Sequence, residues 1–211
     1  MKQLKFAILA LGCIAALSLT SCLGDDNDNN QGLTPAEVGQ CLTATKGSYQ
    51  GKIYYQATNP ENINDAIDTL DVRWTVTADT TLIVQEFPAA VAAANIKGNN
   101  DELKEALLEA DPQPLNAYLG FYENDPISFL LYPLSVKYTV FYGERTHSAT
   151  VVFWVNNYSY GIYNQTSRLF EMQFVLAALY IDDDTDHNYL ASDLGIGTAN
   201  VRCVLSNQEN I

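Results

Sequence analysis

The sequence predicts a mainly β fold, built either as an antiparallel β-sandwich or as a partly closed barrel. Three observations predict it. First, Asp71 to Ala78 alternates strictly: Val72, Trp74, Val76 and Ala78 fall on one side, and Asp71, Arg73, Thr75 and Thr77 on the other. That is the period of a strand with one buried and one wet face. Second, seven to nine such segments follow one another at hairpin spacing. Third, 47% of the residues are hydrophobic, enough for a buried core rather than a disordered chain.

The elements can be justified in order. Thr34-Pro35-Ala36-Glu37 opens a short N-terminal helix over Leu33 to Thr45. Thr34 is a cap, Pro35 suits the first helical position, and Glu37 completes a capping box. Val38, Cys41 and Leu42 share its apolar face, and Gly47 ends it. Tyr49 to Ala57 reads as a strand. Asp79-Thr80 turns the chain after the Asp71 strand, and Thr81 to Phe87 returns as its partner. A helical insertion is expected near 88–112, where Ala89 to Ala94 is alanine-rich and Leu103, Leu107 and Leu108 recur at helical spacing behind Asp101. Asp111-Pro112-Gln113-Pro114 stops it. Strands then resume over Ile127 to Pro133, Leu134 to Tyr142, His147 to Asn156 and Tyr158 to Tyr163, with a turn at Gly143-Glu144-Arg145. Leu169 to Ile181 is ambiguous by period, because Phe170, Phe174, Ala177 and Ile181 also share a helical face. Its β-rich neighbours favour a strand buried on both sides. Thr198 to Leu205 supplies the last strand.

The N-terminus carries an address. Lys2 and Lys5 precede the apolar run Phe6 to Leu19, which closes in Leu17-Ser18-Leu19-Thr20-Ser21-Cys22. The run is about 14 residues, short for a bilayer-spanning helix. It reads as an export signal over residues 1–21, and a cysteine at the cleavage point reads as a bacterial lipoprotein signal. Cys22 is then the lipidated mature N-terminus, and the protein's membrane partner is reached through that lipid. Several acyl chains on one residue meet the requirement for stable anchoring. Residues 22–32 form a flexible acidic tether, with no apolar side chain from Asp25 to Gln31. Residues 33–211 form a single β-rich domain.

Charge narrows the partners. The chain has 11 basic and 25 acidic residues, a net charge of −14. Loss of Lys2 and Lys5 with the signal takes it to −16. With no basic cluster, nucleic acid is not an expected partner. The domain is expected to be a monomer.

Of the four cysteines, Cys13 leaves with the signal and Cys22 takes the lipid. Cys41 and Cys203 remain, and an even pair in an exported protein reads as a disulfide, with two separate buried thiols as the alternative. Catalytic motifs are sparse. The two histidines, His147 and His187, show no metal-ligand spacing, and no nucleophile elbow or phosphate loop occurs. His147 reads as a solvated or packed strand residue, and no enzyme is expected. In Asp182-Asp183-Asp184-Thr185-Asp186-His187, Asp182, Asp184, Asp186 and Asp193 fall at positions one, three, five and twelve of a calcium loop. Calcium is thus the one cofactor to consider, although His187 occupies the position where the turn wants glycine. A solvated acidic turn is the favoured reading.

Tyr158, Tyr160 and Tyr163, with Asn156, Asn157 and Asn164, make an aromatic and amide-rich strip of the kind that holds a glycan. Strand tyrosines are also common in cores, and Trp74 belongs to the core by its alternation. Asp68-Thr69-Leu70 and Asp79-Thr80-Thr81 resemble the short O-glycosylation sequon of Bacteroidetes, which makes Thr69 and Thr80 candidate glycan attachment sites.

The lipobox followed by Leu23-Gly24-Asp25-Asp26-Asn27-Asp28, the capped helix, Gly47-Ser48-Tyr49-Gln50-Gly51, Thr69-Leu70-Asp71-Val72-Arg73-Trp74 and the Tyr138 to Asn164 strands together resemble an uncharacterised surface lipoprotein domain family of gut Bacteroidetes. The resemblance covers nearly the whole mature chain, with only the signal motif specific. It implies display on the outer face of the outer membrane and a β-sandwich or calycin-like barrel, and it transfers no catalytic residues. The function expected is a surface lipoprotein with a binding or adhesion role toward a glycan or protein partner. The alternative is a scaffold or accessory subunit of a surface nutrient-uptake complex, and a hydrolase is the least favoured class.

Overall fold

Ten strands and three helices make up the described chain. The structure is a computed structural model and describes residues 32–58, 67–190 and 202–207, the side chains of Asn156, Arg202 and Cys203 excepted. The signal segment, Cys22, nearly all of the tether and Asp193 lie outside the described residues.

Helix α1 (Pro35–Thr45) starts as its sequence dictates. The Glu37 amide donates to Thr34 Oγ1 at 3.3 Å and the Thr34 amide donates to Glu37 Oε2 at 2.8 Å, the reciprocal bonds of a capping box. Strands β1 (Gly47–Gln56), β2 (Ile67–Val76) and β3 (Thr81–Phe87) follow as an antiparallel meander. The insertion folds as α2 (Ala90–Ala93) and α3 (Asp101–Glu109), with Leu103, Ala106 and Leu107 buried. Leu108, expected on the same face, is exposed.

Strands β4 (Gln113–Asn124) and β5 (Ile127–Pro133) come next, then β6 (Val136–Tyr142) and β7 (Arg145–Trp154). Gly143 and Glu144 both have positive φ, 56° and 64°. Two left-handed residues between the paired Tyr142 and Arg145 make the tight hairpin turn that matches strand twist. Strands β8 (Asn156–Asn164), β9 (Leu169–Ile181) and β10 (Arg202–Ser206) complete the set.

Of the two architectures expected, the barrel is the one formed, and it is closed rather than partly open. The strand order runs β10-β1-β2-β3-β4-β5-β8-β9, and β9 pairs back onto β10, so eight antiparallel strands make a ring. Leu205 of β10 stands opposite Ile53 of β1 and Met172 of β9, and all three are buried. Strands β7 and β6 extend the sheet from the C-terminal half of β9. The expectation that Leu169 to Ile181 is a strand holds, and its central residues Phe174, Val175 and Leu176 are all buried.

Side chains fill the barrel. Tyr49 stacks on Trp74 at 5.8 Å, and Phe170 meets Tyr49, Trp74, Phe129 and Tyr163 at 4.9–5.9 Å. A second aromatic cluster joins Phe87, Phe153 and Phe174. Trp74 is fully buried, as its alternation requires. An eight-stranded ring is just wide enough for such filling or for one small ligand, and here the rings take the space. α1 sits by β4, where the amide of Asn124 donates to Glu37. α3 is tied to the β6–β7 hairpin by the Gly143 amide, which donates to Glu102 Oε2 at 3.2 Å.

Cys41 corrects the expected disulfide. Its thiol is free, buried, and directed at the Glu123 carbonyl oxygen 3.9 Å away. Cys203 stands opposite Phe174 in the register, and its side chain is not among those described.

Candidate functional site: an uncharged aromatic wall

Strands β4, β5 and β8 are neighbours in the barrel, and their sequences are unusual for this chain. β5 and β8 contain no charged residue, and Glu123 is the one charge in β4. Yet the chain has 11 basic and 25 acidic residues. Alternation sorts the three strands into two faces. Inward go Leu115, Ala117, Leu119, Ile127, Phe129, Leu131, Ser159 and Tyr163, all buried. Outward go Tyr118, Tyr122, Tyr158, Tyr160 and Ile162, all exposed, and Leu130 and Tyr132, half-buried.

The register assembles these outward residues into rows. Tyr118 stands opposite Tyr132, and Gly120 opposite Leu130, which is opposite Tyr160, which is opposite Gln173 of β9. Directly opposed side chains lie roughly 5 Å apart, close enough to form a continuous surface. Gly120 contributes by having no side chain: a Cβ there would lie 3.1 Å from Cε2 of Tyr132, whose ring covers it. At the β7–β8 junction the register breaks between Leu130 and Leu131, and Trp154 and Tyr158 meet with ring centroids 5.6 Å apart. Ser159 holds this bend together. Its hydroxyl donates to the Trp154 carbonyl at 2.6 Å and accepts from the Val175 amide at 3.2 Å. The Gln173 side chain donates to the Tyr158 carbonyl at 3.0 Å. Glu123 and Glu171 stand at the rim.

The structure divides the strip expected from sequence between two faces. Tyr158 and Tyr160 are 41% and 37% exposed, but Tyr163 is 4% exposed and packs on Tyr49 and Phe170. An odd spacing on a period-two strand sends it to the other face. Asn157 is exposed, Asn164 accepts from the Thr166 and Ser167 amides in the following turn, and the Asn156 side chain is not among those described. Sequence reasoning missed Tyr118, Tyr132, Trp154 and Ile162. For Tyr118, Tyr132 and Ile162 the signal was three strands with Glu123 as their one charge, hidden because Pro112 and Pro114 disguise the start of β4.

The described carboxylates of the acidic turn take partners within the protein, and Asp193, the twelfth position, lies outside the described residues. Asp182 accepts from the Ser148 amide at 3.0 Å and bonds His147 Nδ1 at 2.8 Å. Asp183 pairs with Lys137 at 2.9 Å, and Asp184 accepts from the Asp186 amide at 3.1 Å. Among the described residues, no three His, Cys, Asp or Glu side chains converge on a metal position. Left-handed backbone at Asp182 and Asp183, φ 53° and 59°, aims these carboxylates at β7 and β6 instead.

His147 is packed: buried, stacked on Tyr142 at 4.1 Å, and bonded on both nitrogens. Arg145 Nε donates to its Nε2 at 3.1 Å, so the ring proton sits on Nδ1 and is donated to Asp182. With both nitrogens occupied, the ring has no free position for acid–base work. The Ser148 amide, and then His147, hold the Asp182 carboxyl below the usual range. Thr69 is exposed on β2, and Thr80 sits half-buried in the β2–β3 turn with φ 63°.

A polar groove of about 650 Å³ runs over β1, β2 and β3, lined by Gln50, Arg73, Glu86 and the Lys52–Asp71 ion pair at 2.9 Å. Its charges of both signs distinguish it from the aromatic wall.

No curated protein and no solved structure is detectably similar to the chain. A family model, described as a domain of unknown function (DUF4840), matches residues 44–181, which take in β1 to β9 and so the whole aromatic wall. The chain belongs to the DUF4840 family.

Proposed function

We propose that this protein is a lipid-anchored barrel of the bacterial outer membrane, displayed on the cell surface through Cys22, and that it binds a partner rather than transforming a substrate. The signal reading supports the address: a basic start, a short apolar run and a cysteine at its end. The observation that carries the binding role is the aromatic wall. Monomeric domains rarely leave a contiguous apolar surface of this kind uncovered unless it meets a partner. Because rings fill the barrel, binding falls to its outside.

Two arms test the reading. A Cys22→Ser variant should lose lipid labelling and leave the membrane fraction; retention of label on the variant refutes the anchor. A photoreactive residue in place of Tyr158 should give adducts on intact cells, while the same probe at Thr75, on the outer surface of β2, should not. Equal adducts at both positions, or none at Tyr158, refute the wall as the binding surface.

A further inference from the structure

We infer that the occupant of the aromatic wall is an uncharged polysaccharide, which lies across β4, β5, β8 and the end of β7 with its sugar faces on Tyr158, Tyr160, Trp154 and Tyr118. The inference rests on the wall being the binding surface and names the class of ligand.

Charge is the first argument. In a protein of net charge −14, three adjacent strands present no outward charge except Glu123 at the rim, with Glu171 of the neighbouring β9 opposite Ile162. Those acids repel phosphate, sulfate and uronate groups, and nothing inside the wall would pair with an anion or a cation. A neutral occupant fits.

Chemistry is the second. The outward side chains are rings that carry hydroxyls, one indole, and amides at the margins from Asn157 and Gln173. Apolar ring faces with a few polar groups at their edges complement a sugar, which has C–H faces and a hydroxyl perimeter. A bilayer surface asks for something else. Faces that lie on membranes carry lysine and arginine among the apolar groups, and this one has acids at its rim. Protein interfaces share the enrichment in tyrosine and tryptophan but add arginine and methionine to it. The outward set has neither, since Met172 faces the core.

Shape is the third. The wall is the outside of a barrel, and the polar groove lies elsewhere, over β1 to β3. An open surface of rings in rows can follow an extended chain at internal positions. It does not require the chain end that a closed pocket would enclose.

The test uses full-length protein carrying Cys22→Ser in native gels that contain a neutral glucan, a neutral galactomannan or polygalacturonate. Neutral polymer should retard the protein and added salt should leave the retardation unchanged. Tyr160→Ala and Trp154→Ala should each weaken it about tenfold or more, the size expected for truncating a central ring. The melting temperature of each variant is measured alongside, and a cooperative transition that stays well above the temperature of the gels removes misfolding as an explanation. Retardation that survives both substitutions overturns the inference. So does retardation by polygalacturonate alone, binding only to phosphatidylcholine vesicles, or no retardation by either neutral polymer. If the gels fail while Tyr158 still cross-links a protein on cells, the wall stands and the ligand class falls. If both fail, the binding role falls with it.

Discussion

Gly161→Ala is the sharpest test of how β8 is seated. In the register Gly161 lies between Phe129 of β5 and Met172 of β9, facing the core. A Cβ at 161 would lie 2.9 Å from Met172 Cγ and nearer still to Cε2 and Cζ of Phe129. Phe129 cannot swing away freely. It is fully buried, with Phe121 at 5.8 Å and Phe170 at 5.6 Å. Overpacking of this kind costs about 1–3 kcal/mol. Alanine restricts the unfolded chain and so returns about 0.4–1 kcal/mol. The net loss is about 1.5 kcal/mol, and for a domain of this size Tm should fall by roughly 3–6 °C. Thermal and urea unfolding would measure it. Gly39→Ala is the control: it lies within α1 with nothing within 4 Å of its Cβ position, and it should stabilise by about 0.5–1 kcal/mol. Phe129→Leu removes the clashing ring atoms, so the double variant should show a favourable coupling of about 0.5–3 kcal/mol. A Gly161→Ala protein as stable as wild type would refute the account of β8, and with it the reason Tyr160 and Ile162 face outward.

Three further outcomes are expected. Thr34→Ala removes the capping-box hydroxyl and should destabilise the protein by about 1 kcal/mol in urea unfolding; Thr34→Ser should restore most of the loss. The Asp182 carboxyl is held low by the Ser148 amide and then by His147, so the stability it confers is present above its unfolded pKa, about 3.9, and is lost as pH falls through the lower folded value. Asp182→Asn should therefore melt below wild type at neutral pH and converge with it below about pH 4; a constant gap across that range would show that the charge is irrelevant. Burial raises the Cys41 thiol above its ordinary range, and the side chain is 1% exposed, so alkylation under native conditions should be slow and should become fast on unfolding. Rapid native alkylation would contradict the packing of α1.

Local chemistry made much of the fold readable. The Thr34–Glu37 capping box, the alternation of β2 and the Gly143 turn each depend on residues within a few positions of one another, and each formed where the sequence placed it. Longer-range features were not readable. Strand β4 was missed because prolines at 112 and 114 resemble a stop, although Leu115, Ala117, Leu119 and Phe121 alternate behind them. In the acidic turn, Ser148 and His147 engage Asp182 and Lys137 engages Asp183, contacts that no spacing along the sequence reveals.

By itself, the sequence determined that the body is β-rich and acidic, that a helix opens it and that a helical insertion interrupts it, because periodicity and capping act over single elements. Tertiary structure alone decided that the sheet closes, since β10 meets both β1 and β9 through pairings between distant segments. It also decided that the candidate site is a wall. Residues from 118, 132 and 160 come together only when β8 inserts beside β5, after the β6–β7 hairpin has been set aside along β9. No local pattern encodes that adjacency; the burial of one core from all eight strands does.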